Sequence, residues 1–162
     1  MRYMQDLLKQ KEFQVNNMDN ILISKMTPED ISQVKQLEDE QNINILSKES
    51  ITDDLSKDNY YYIVAKKENN IIGYLGASFL LDTADLISVV VKQEEKRKGI
   101  ASSLLLILYR YLKEQNVKKI LLEVRESNLI AQKTYINHGF NVISRRKNYY
   151  GNESAIIMEK TI

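Results

Sequence analysis

The stretch DLISVVVKQEEKRKGIASSLLL, residues 85–106, joins a run of β-branched residues to a charged turn and a leucine-rich segment. The run Asp85–Val91 is typical of a strand that is covered on both faces, and hence of a central strand in a sheet. Gly99 then opens a predicted helix that reaches about Gln115 and carries its leucines on one stripe. Because the first turn of a helix has unpaired N–H groups and a partial positive charge, this joint is a candidate phosphate site.

The joint has two interpretations on its own residues. Gly99 and Ala101 allow a ligand to approach the backbone closely, and the run Lys96-Arg97-Lys98 adds positive charge, which suits a pyrophosphate cradle. The alternative is an ordinary strand–loop–helix connection, which this stretch alone favours because a single glycine is a weak signal. Nucleotide binding of the P-loop type is disfavoured, since the Lys-Ser/Thr pair of that motif does not follow Gly99.

The rest of the chain predicts an alternation of strands and helices around this joint. Upstream of it we expect a strand at Ile21–Met26, helices that begin near Thr27 and Ser47, and strands at Tyr60–Ala65 and Ile71–Leu81. Downstream we expect a strand at Lys119–Val124, a helix at Asn128–His138, and strands at Phe140–Ser144 and Ser154–Glu159. The order β-α-α-β-β-β-α-β-α-β-β predicts an α/β domain with a mixed sheet. Residues 1–19 are interpreted as a polar N-terminal extension and residues 20–162 as one domain.

Composition narrows the classes of function. The chain has 162 residues, 43% of them hydrophobic, which suits a single domain with a core of its own. The net charge of +1 argues against a nucleic-acid binder, which usually carries a basic excess. One histidine and no cysteine argue against a metal centre and against a thiol nucleophile. Since no apolar run approaches the ~18 residues that span a bilayer, we expect a soluble, cytoplasmic protein.

Three side chains are candidates for chemistry. Glu123 lies within the apolar strand of LLEVRESN, where it is either a general base at a sheet surface or a solvated residue of an edge strand paired with a basic neighbour. Tyr135 lies in the next predicted helix, and on its own such a tyrosine is more often a packed aromatic residue. His138, just before Gly139, is better explained as a cation at the negative end of that helix than as a catalyst.

Taken together, the motifs resemble the GNAT superfamily of N-acetyltransferases, and within it the RimI-like ribosomal-protein-alanine acetyltransferases. The resemblance covers about Ile21–Ile162 and rests on KRKGIA, LLEVRESN, AQKTYINHGF, RRKNYY and SAIIMEK in this order. Lys96 replaces the usual Gln or Arg of the family's loop pattern, Gln/Arg-x-x-Gly-x-Gly/Ala, and keeps a basic residue there. The resemblance implies a mixed, mostly antiparallel sheet of about six to seven strands with about four helices, and acetyl-CoA as the co-substrate without a metal.

The resemblance also assigns residues to roles. Glu123 matches the proposed general base and Tyr135 the proposed general acid, while Tyr149 and Tyr150 match residues expected near the acceptor peptide. Backbone groups of the valines would line the pantetheine arm and the acetyl carbonyl, and the loop that follows would wrap the pyrophosphate. The residues assigned to acetyl-CoA are Val89, Val90, Val91, Lys96, Arg97, Lys98, Gly99, Ile100, Ala101 and Asn128.

The acceptor is open at this stage. The leading expectation is the N-terminal α-amine of a ribosomal protein, acetylated by direct transfer in a ternary complex with a monomeric or homodimeric enzyme. The alternatives are a small amine, a lysine side chain, or a non-catalytic acyl-CoA-binding domain. The segment Asn42–Ser47 lacks the Pro-Trp pair often found there in the subgroup, and the region borders the acceptor groove of that subgroup.

Overall fold

A computed structural model describes residues 13–14 and 20–162 of the chain. These residues fall into two compact units. The first unit contains the described residues up to Ala77 together with Ser88–Leu108, and the second contains Ser78–Ile87 together with Tyr109–Ile162. The predicted extension, residues 1–19, lies outside the described residues apart from Phe13–Gln14, and the prediction of one domain over residues 20–162 stays a prediction.

The described elements follow the predicted order. The helices are α1 (Ile31–Glu40), α2 (Lys48–Leu55), α3 (Ile100–Glu114) and α4 (Leu129–Asn137), and 3-10 turns lie at Pro28–Asp30 and Gln93–Glu95. The strands are β1 (Phe13–Gln14), β2 (Ile21–Lys25), β3 (Tyr60–Lys67), β4 (Asn70–Leu80), β5 (Thr83–Val91), β6 (Lys119–Arg125), β7 (Asn141–Arg146) and β8 (Ala155–Thr161).

The sheet has the strand order β1-β2-β3-β4-β5-β6-β8-β7. The pairing of β5 with β6 is parallel, with Thr83 opposite Lys119 and Asp85 opposite Leu121, whereas β1–β2, β2–β3, β6–β8 and β7–β8 are antiparallel. The predicted α/β class, with a mixed, mostly antiparallel sheet and four helices, is therefore confirmed. The two-residue strand β1 was not predicted, because two residues are too few to carry a periodic pattern.

The core of the first unit is built on strands in which buried and exposed residues do not alternate. Residues 61–65 of β3 and 71–77 of β4 are buried without interruption, as expected of strands covered on both faces. Helix α1 contributes Ile31, Val34 and Leu37, which follow helical spacing and are at most 5% exposed. Buried acids on the helices are satisfied by tyrosines of the strands: the Tyr62 hydroxyl donates to Asp54 at 2.8 Å, and the Tyr74 hydroxyl donates to Glu38.

The core of the second unit is built on β6, along which buried and exposed residues alternate. Ile120, Leu122 and Val124 are buried, while Glu123 and Arg125 on the opposite face are exposed. A side-chain period of two produces this division. Phe140, the residue before β7, is 1% exposed and lies in the same unit.

The structure corrects one prediction about β5. The strand is central, between β4 and β6, but it is not covered on both faces, because Asp85 is exposed and Ile87 and Val89 are only half-buried. Their even-numbered neighbours from Ala84 to Val90 are buried. A run of β-branched residues does not reveal this difference, since the burial of a strand face depends on what packs against it.

Candidate active site

The connection from β5 to α3, the candidate phosphate site, has left-handed backbone directly before the helix. Gly99 has φ +80° and Arg97 has φ +64°, so two residues just before the helix adopt left-handed backbone conformations. Only glycine adopts this conformation without steric cost, and an arginine there stores strain of the order of 1 kcal/mol. The Ile100 side chain is 2% exposed and anchors the first helical turn in the core. The first-turn N–H groups of a helix without an intrahelical partner are suited to phosphate oxygens.

The basic residues of this joint differ in their partners. Lys96, Arg97 and Lys98 are all exposed. Lys98 Nζ donates to Glu95 Oε2 at 2.9 Å, and Lys67 Nζ lies 3.8 Å from the same carboxylate. The hydrogen bond with Lys98 is the main reason why the pKa of Glu95 is lowered. An incoming polyanion would therefore compete with Glu95 for Lys98.

At the end of β5, a ligand would contact main-chain groups rather than side chains. Val90 and Val91 are 5% and 8% exposed, so their side chains belong to the core of the first unit. Val89 is half-buried. The cofactor contacts that the resemblance implies for Val89–Val91 stay a prediction, and main-chain N–H and C=O groups are what these residues have to offer.

In the second unit, Glu123 lies in a polar patch that we call the Glu123 patch: Glu123, Arg125, Arg146, Tyr149 and Tyr150. Arg146 Nη1 lies 3.4 Å from Glu123 Oε1. A hydrogen bond to Glu123 is the main reason why the pKa of the Tyr149 phenol is raised. The interpretation of β6 as an edge strand is wrong, because β5 and β8 flank it, but the expected pairing of Glu123 with a basic residue is present.

The two tyrosines of the patch are held by guanidinium groups. Their rings meet edge to face with centroids 5.0 Å apart. The Arg125 guanidinium lies 4.1 Å from the centre of the Tyr150 ring, and that of Arg146 lies 5.5 Å from the centre of the Tyr149 ring. Such contacts are attractive, by about 0.5–1 kcal/mol at exposed sites. Glu123, Tyr149 and Tyr150, predicted as separate functional residues, are thus brought together.

Neither arginine was selected from the sequence as a functional residue. Arg125 stands opposite Ala155 in the β6–β8 ladder, and Arg146 stands opposite the same Ala155 in the β7–β8 ladder. The small alanine therefore lies between two arginines on neighbouring strands. The cluster Arg145-Arg146-Lys147 is visible in the sequence, but the register that aligns Arg146 with Ala155 is not.

Asn128 has a structural role in this geometry. It is the N-cap residue of α4, and its Oδ1 accepts a hydrogen bond from the Ala131 N–H at 3.1 Å. Gln132 Nε2 donates to the carbonyls of Arg125 and Glu126 at 3.1 and 2.9 Å and ties the preceding turn to the helix. The predicted contact of Asn128 with the cofactor stays a prediction.

Tyr135 belongs to a different cluster of the second unit from Glu123. Its ring meets that of Phe140 edge to face, with centroids 5.7 Å apart. Burial raises the pKa of Tyr135 to about 12. The phenol therefore keeps its proton at neutral pH, as a general acid must before it acts.

Three comparisons relate this geometry to known proteins. The sequence model of the acetyltransferase (GNAT) family matches residues 27–140. A Bacillus subtilis protein that is provisionally named a ribosomal protein bS18-alanine N-acetyltransferase is 31% identical over 143 residues, which cover 86% of this chain and 95% of that protein. The ribosomal protein bS18-alanine N-acetyltransferase of Haemophilus ducreyi is 38% identical over 104 residues, which cover 61% of this chain and 72% of the relative.

Solved structures show the same fold. The crystal structure of the ribosomal-protein-S18-alanine N-acetyltransferase from Escherichia coli superposes with a TM-score of 0.80 at 27% identity and covers 88% of this chain and 94% of that chain. The structure of Ard1 from Thermoplasma volcanium also reaches a TM-score of 0.80, at 23% identity, which supports the fold alone. Among the described helices, none has the length and apolar character required to cross a membrane.

Proposed function

The chain belongs to the acetyltransferase (GNAT) family, and we propose that it transfers the acetyl group of acetyl-CoA to the N-terminal α-amine of a ribosomal protein. The acceptor is proposed because the relatives from Bacillus subtilis and Haemophilus ducreyi carry that acceptor in their names. The observation that carries the chemistry is an exposed carboxylate, Glu123, on a central strand and in contact with Arg146.

The joint between β5 and α3 is proposed to hold acetyl-CoA, which supplies the thioester. The N–H groups of Ile100 and Ala101 at the start of α3 would bind the pyrophosphate, with Lys96 and Arg97 contributing positive charge. Main-chain N–H groups of Val89–Val91 would hold the carbonyl oxygen and stabilise the negative charge that develops there.

Glu123 is proposed as the general base. An amine attacks a thioester only in its neutral form, and an α-amino group has a pKa of about 8, against about 10.4 for lysine. A carboxylate that accepts the proton, directly or through a water molecule, keeps the α-amine neutral as it attacks. Because Arg146 and Tyr149 already contact this carboxylate, they are proposed to hold it in one orientation, and Tyr150 is proposed to contact the acceptor peptide beside it.

Tyr135 is proposed as the general acid. The departing thiolate belongs to a thiol with a pKa of about 8.5, judged from cysteine, and is protonated to give free coenzyme A. The Tyr135 phenol carries that proton at neutral pH because burial raises its pKa to about 12. Since the chain has no cysteine, the acetyl group is proposed to pass directly from sulfur to nitrogen.

The test is an acetylation assay on purified full-length protein with three acceptors: a peptide with N-terminal alanine, the same peptide blocked at its N-terminus but containing lysine, and a small primary amine. Mass spectrometry locates the added acetyl group. We expect the free N-terminal peptide to be acetylated fastest. Turnover of the lysine peptide or of the small amine alone would show that the proposed acceptor is wrong.

The role of Glu123 is tested by Glu123→Gln in the same assay. We expect kcat to fall by at least about a hundredfold, because a positioned general base contributes on that scale, while the Kd for acetyl-CoA stays within about twofold. Glu114→Gln, the same change at an exposed position of α3, is the matched control and should retain wild-type kcat. A Glu123→Gln variant with wild-type kcat would remove Glu123 from the mechanism.

A further inference from the structure

Tyr109, in the C-terminal half of α3, carries a buried hydroxyl that the fold leaves without a partner. The residue is 9% exposed, and its oxygen has no hydrogen-bond partner within the part of the chain that the structure describes. Such a group in a native core calls for an explanation, because burial of an unpaired hydroxyl costs stability.

The ring of Tyr109 packs against the C-terminal end of α4. Its centroid lies 6.2 Å from that of His138, in an edge-on contact, and Lys160 Nζ lies 5.2 Å from the centre of the Tyr109 ring. His138 follows Tyr135 by three residues, a spacing that places two side chains on one side of a helix. Tyr109 therefore packs on the side of α4 from which Tyr135 projects.

The two phenols also interact electrostatically. Burial, and after it the nearby Tyr135, raises the pKa of Tyr109. Both hydroxyls are therefore protonated at neutral pH, and one of them lacks a hydrogen-bond acceptor. The titratable groups that meet the Tyr109 ring are His138 at the end of α4 and Lys160 on β8, and burial together with the Lys160 charge lowers the pKa of His138.

Once Tyr135 has given up its proton, the buried phenolate that remains must be stabilised. Because burial raises the pKa of the Tyr135 phenol well above that of a thiol, proton transfer from Tyr135 to the leaving thiolate is unfavourable. A hydrogen-bond donor aimed at the phenolate that forms would offset much of this difference, because hydrogen bonds to charged oxygens are stronger than those to neutral ones.

We propose that Tyr109 is a positioning residue for the acetyl transfer: its hydroxyl donates a hydrogen bond to the Tyr135 oxygen as Tyr135 gives its proton to the leaving sulfur. The carbon–sulfur bond breaks, the electron pair stays on sulfur, and the Tyr135 proton binds to it. Tyr109 keeps its own proton, and Tyr135 regains one from water. This inference rests on the proposed role of Tyr135, and the test separates the two.

The test is a double-mutant cycle of Tyr109→Phe and Tyr135→Phe, with kcat and KM measured for acetyl-CoA and the N-terminal alanine peptide. In the wild-type background, Tyr109→Phe should lower kcat about tenfold and leave both KM values unchanged, while the Tm should rise because the buried unpaired hydroxyl is removed. In the Tyr135→Phe background, the same change should have no effect on kcat, because the phenolate that it stabilises no longer forms. Tyr60→Phe, which removes a hydroxyl from a half-buried tyrosine of β3, should retain wild-type kcat.

The outcomes distinguish the proposals. If Tyr135→Phe lowers kcat but Tyr109→Phe does not, the role of Tyr109 is wrong and that of Tyr135 stands. Equal losses from Tyr109→Phe in both backgrounds would likewise refute coupling through Tyr135. If Tyr135→Phe itself retains wild-type kcat, the general acid is another group and the inference about Tyr109 fails with it.

A second measurement does not depend on turnover. With tyrosine carrying ¹³C at Cζ, the NMR shift of Tyr135 can be followed as a function of pH and assigned through Tyr135→Phe. The Tyr109 hydrogen bond favours the Tyr135 phenolate, so Tyr135 should titrate at a higher pH in Tyr109→Phe than in the wild-type protein. An unchanged titration would contradict the proposed hydrogen bond.

Discussion

His138 shows how an environment can reverse the expected charge of a residue. From the sequence it was interpreted as a cation at the C-terminal end of a helix. In the structure it is the C-cap residue of α4, its ring meets Tyr109, and burial followed by the charge of Lys160 lowers its pKa. The position of His138 at the end of the helix is confirmed, whereas the lowered pKa favours the neutral imidazole in the folded chain.

This shift has a consequence for stability against pH. The unfolded chain binds a proton at His138 near a pH of about 6.5, whereas the folded chain binds it only at lower pH, so stability is present above about 6.5 and is lost as the pH falls through the folded-state pKa. Denaturant unfolding at pH 7.5, 6.5 and 5.5 should show a larger loss for the wild-type protein than for His138→Gln. Parallel losses in both proteins would contradict the lowered pKa.

At the scale of elements, the first turn of α4 carries one observed role and one predicted role. Asn128 caps the helix through its Oδ1, and the sequence resemblance assigns the same side chain to the cofactor. The side-chain oxygen serves the cap, so the amide Nδ2 is the atom to which the cofactor role is assigned. A substitution can therefore remove one of these two roles and keep the other.

Substitutions of Asn128 separate the two roles. Asn128→Ala should lower the free energy of unfolding by about 1 kcal/mol, the usual cost of a lost N-cap, whereas Asn128→Ser should stay near the wild-type value, because serine caps almost as well. Both variants lack the amide, so both should raise the KM for acetyl-CoA. An unchanged KM in Asn128→Ser would leave Asn128 with the capping role alone.

At the scale of the whole molecule, the charges are balanced locally. The chain carries 23 basic and 22 acidic residues, and the structure sets many of them in pairs. Arg145 binds Glu126 through two hydrogen bonds of 2.6 and 2.8 Å, and Lys66 lies 2.7 Å from Asp30. We therefore expect the binding of acetyl-CoA, a polyanion, to depend on the proposed groups at the α3 N-terminus and the basic residues before it rather than on the net charge.

The free energy of unfolding, measured with and without ligand, tests whether acetyl-CoA binds specifically. Acetyl-CoA at about a hundred times its Kd should add about 2.7 kcal/mol to the free energy of unfolding of the full chain, by mass action. ATP, which has phosphates but no pantetheine arm, should add much less at equal concentration. Equal stabilisation by both ligands would point to unspecific anion binding, and none by acetyl-CoA would contradict the proposed joint.

The order of elements, the helix that begins directly after Gly99 and the alternating faces of β6 could all be predicted from the chain alone. They follow from periodicity, capping and turn preferences, which act between residues a few positions apart. Glu123 was a candidate because it is a charged residue within an apolar strand, whereas Tyr149 and Tyr150 were selected only through the resemblance in motif order.

Other features required the folded chain. The contact of Arg146 with Glu123, the packing of Tyr109 on the side of α4 that carries Tyr135, and the half-open face of β5 depend on register and on which elements pack together. Glu123 and Arg146 are 23 positions apart in the chain, and Tyr109 and Tyr135 are 26 positions apart. The exposure of the β5 face depends on which other elements pack against it. Local preferences do not encode such pairings; the burial of apolar surface in the assembled fold selects them.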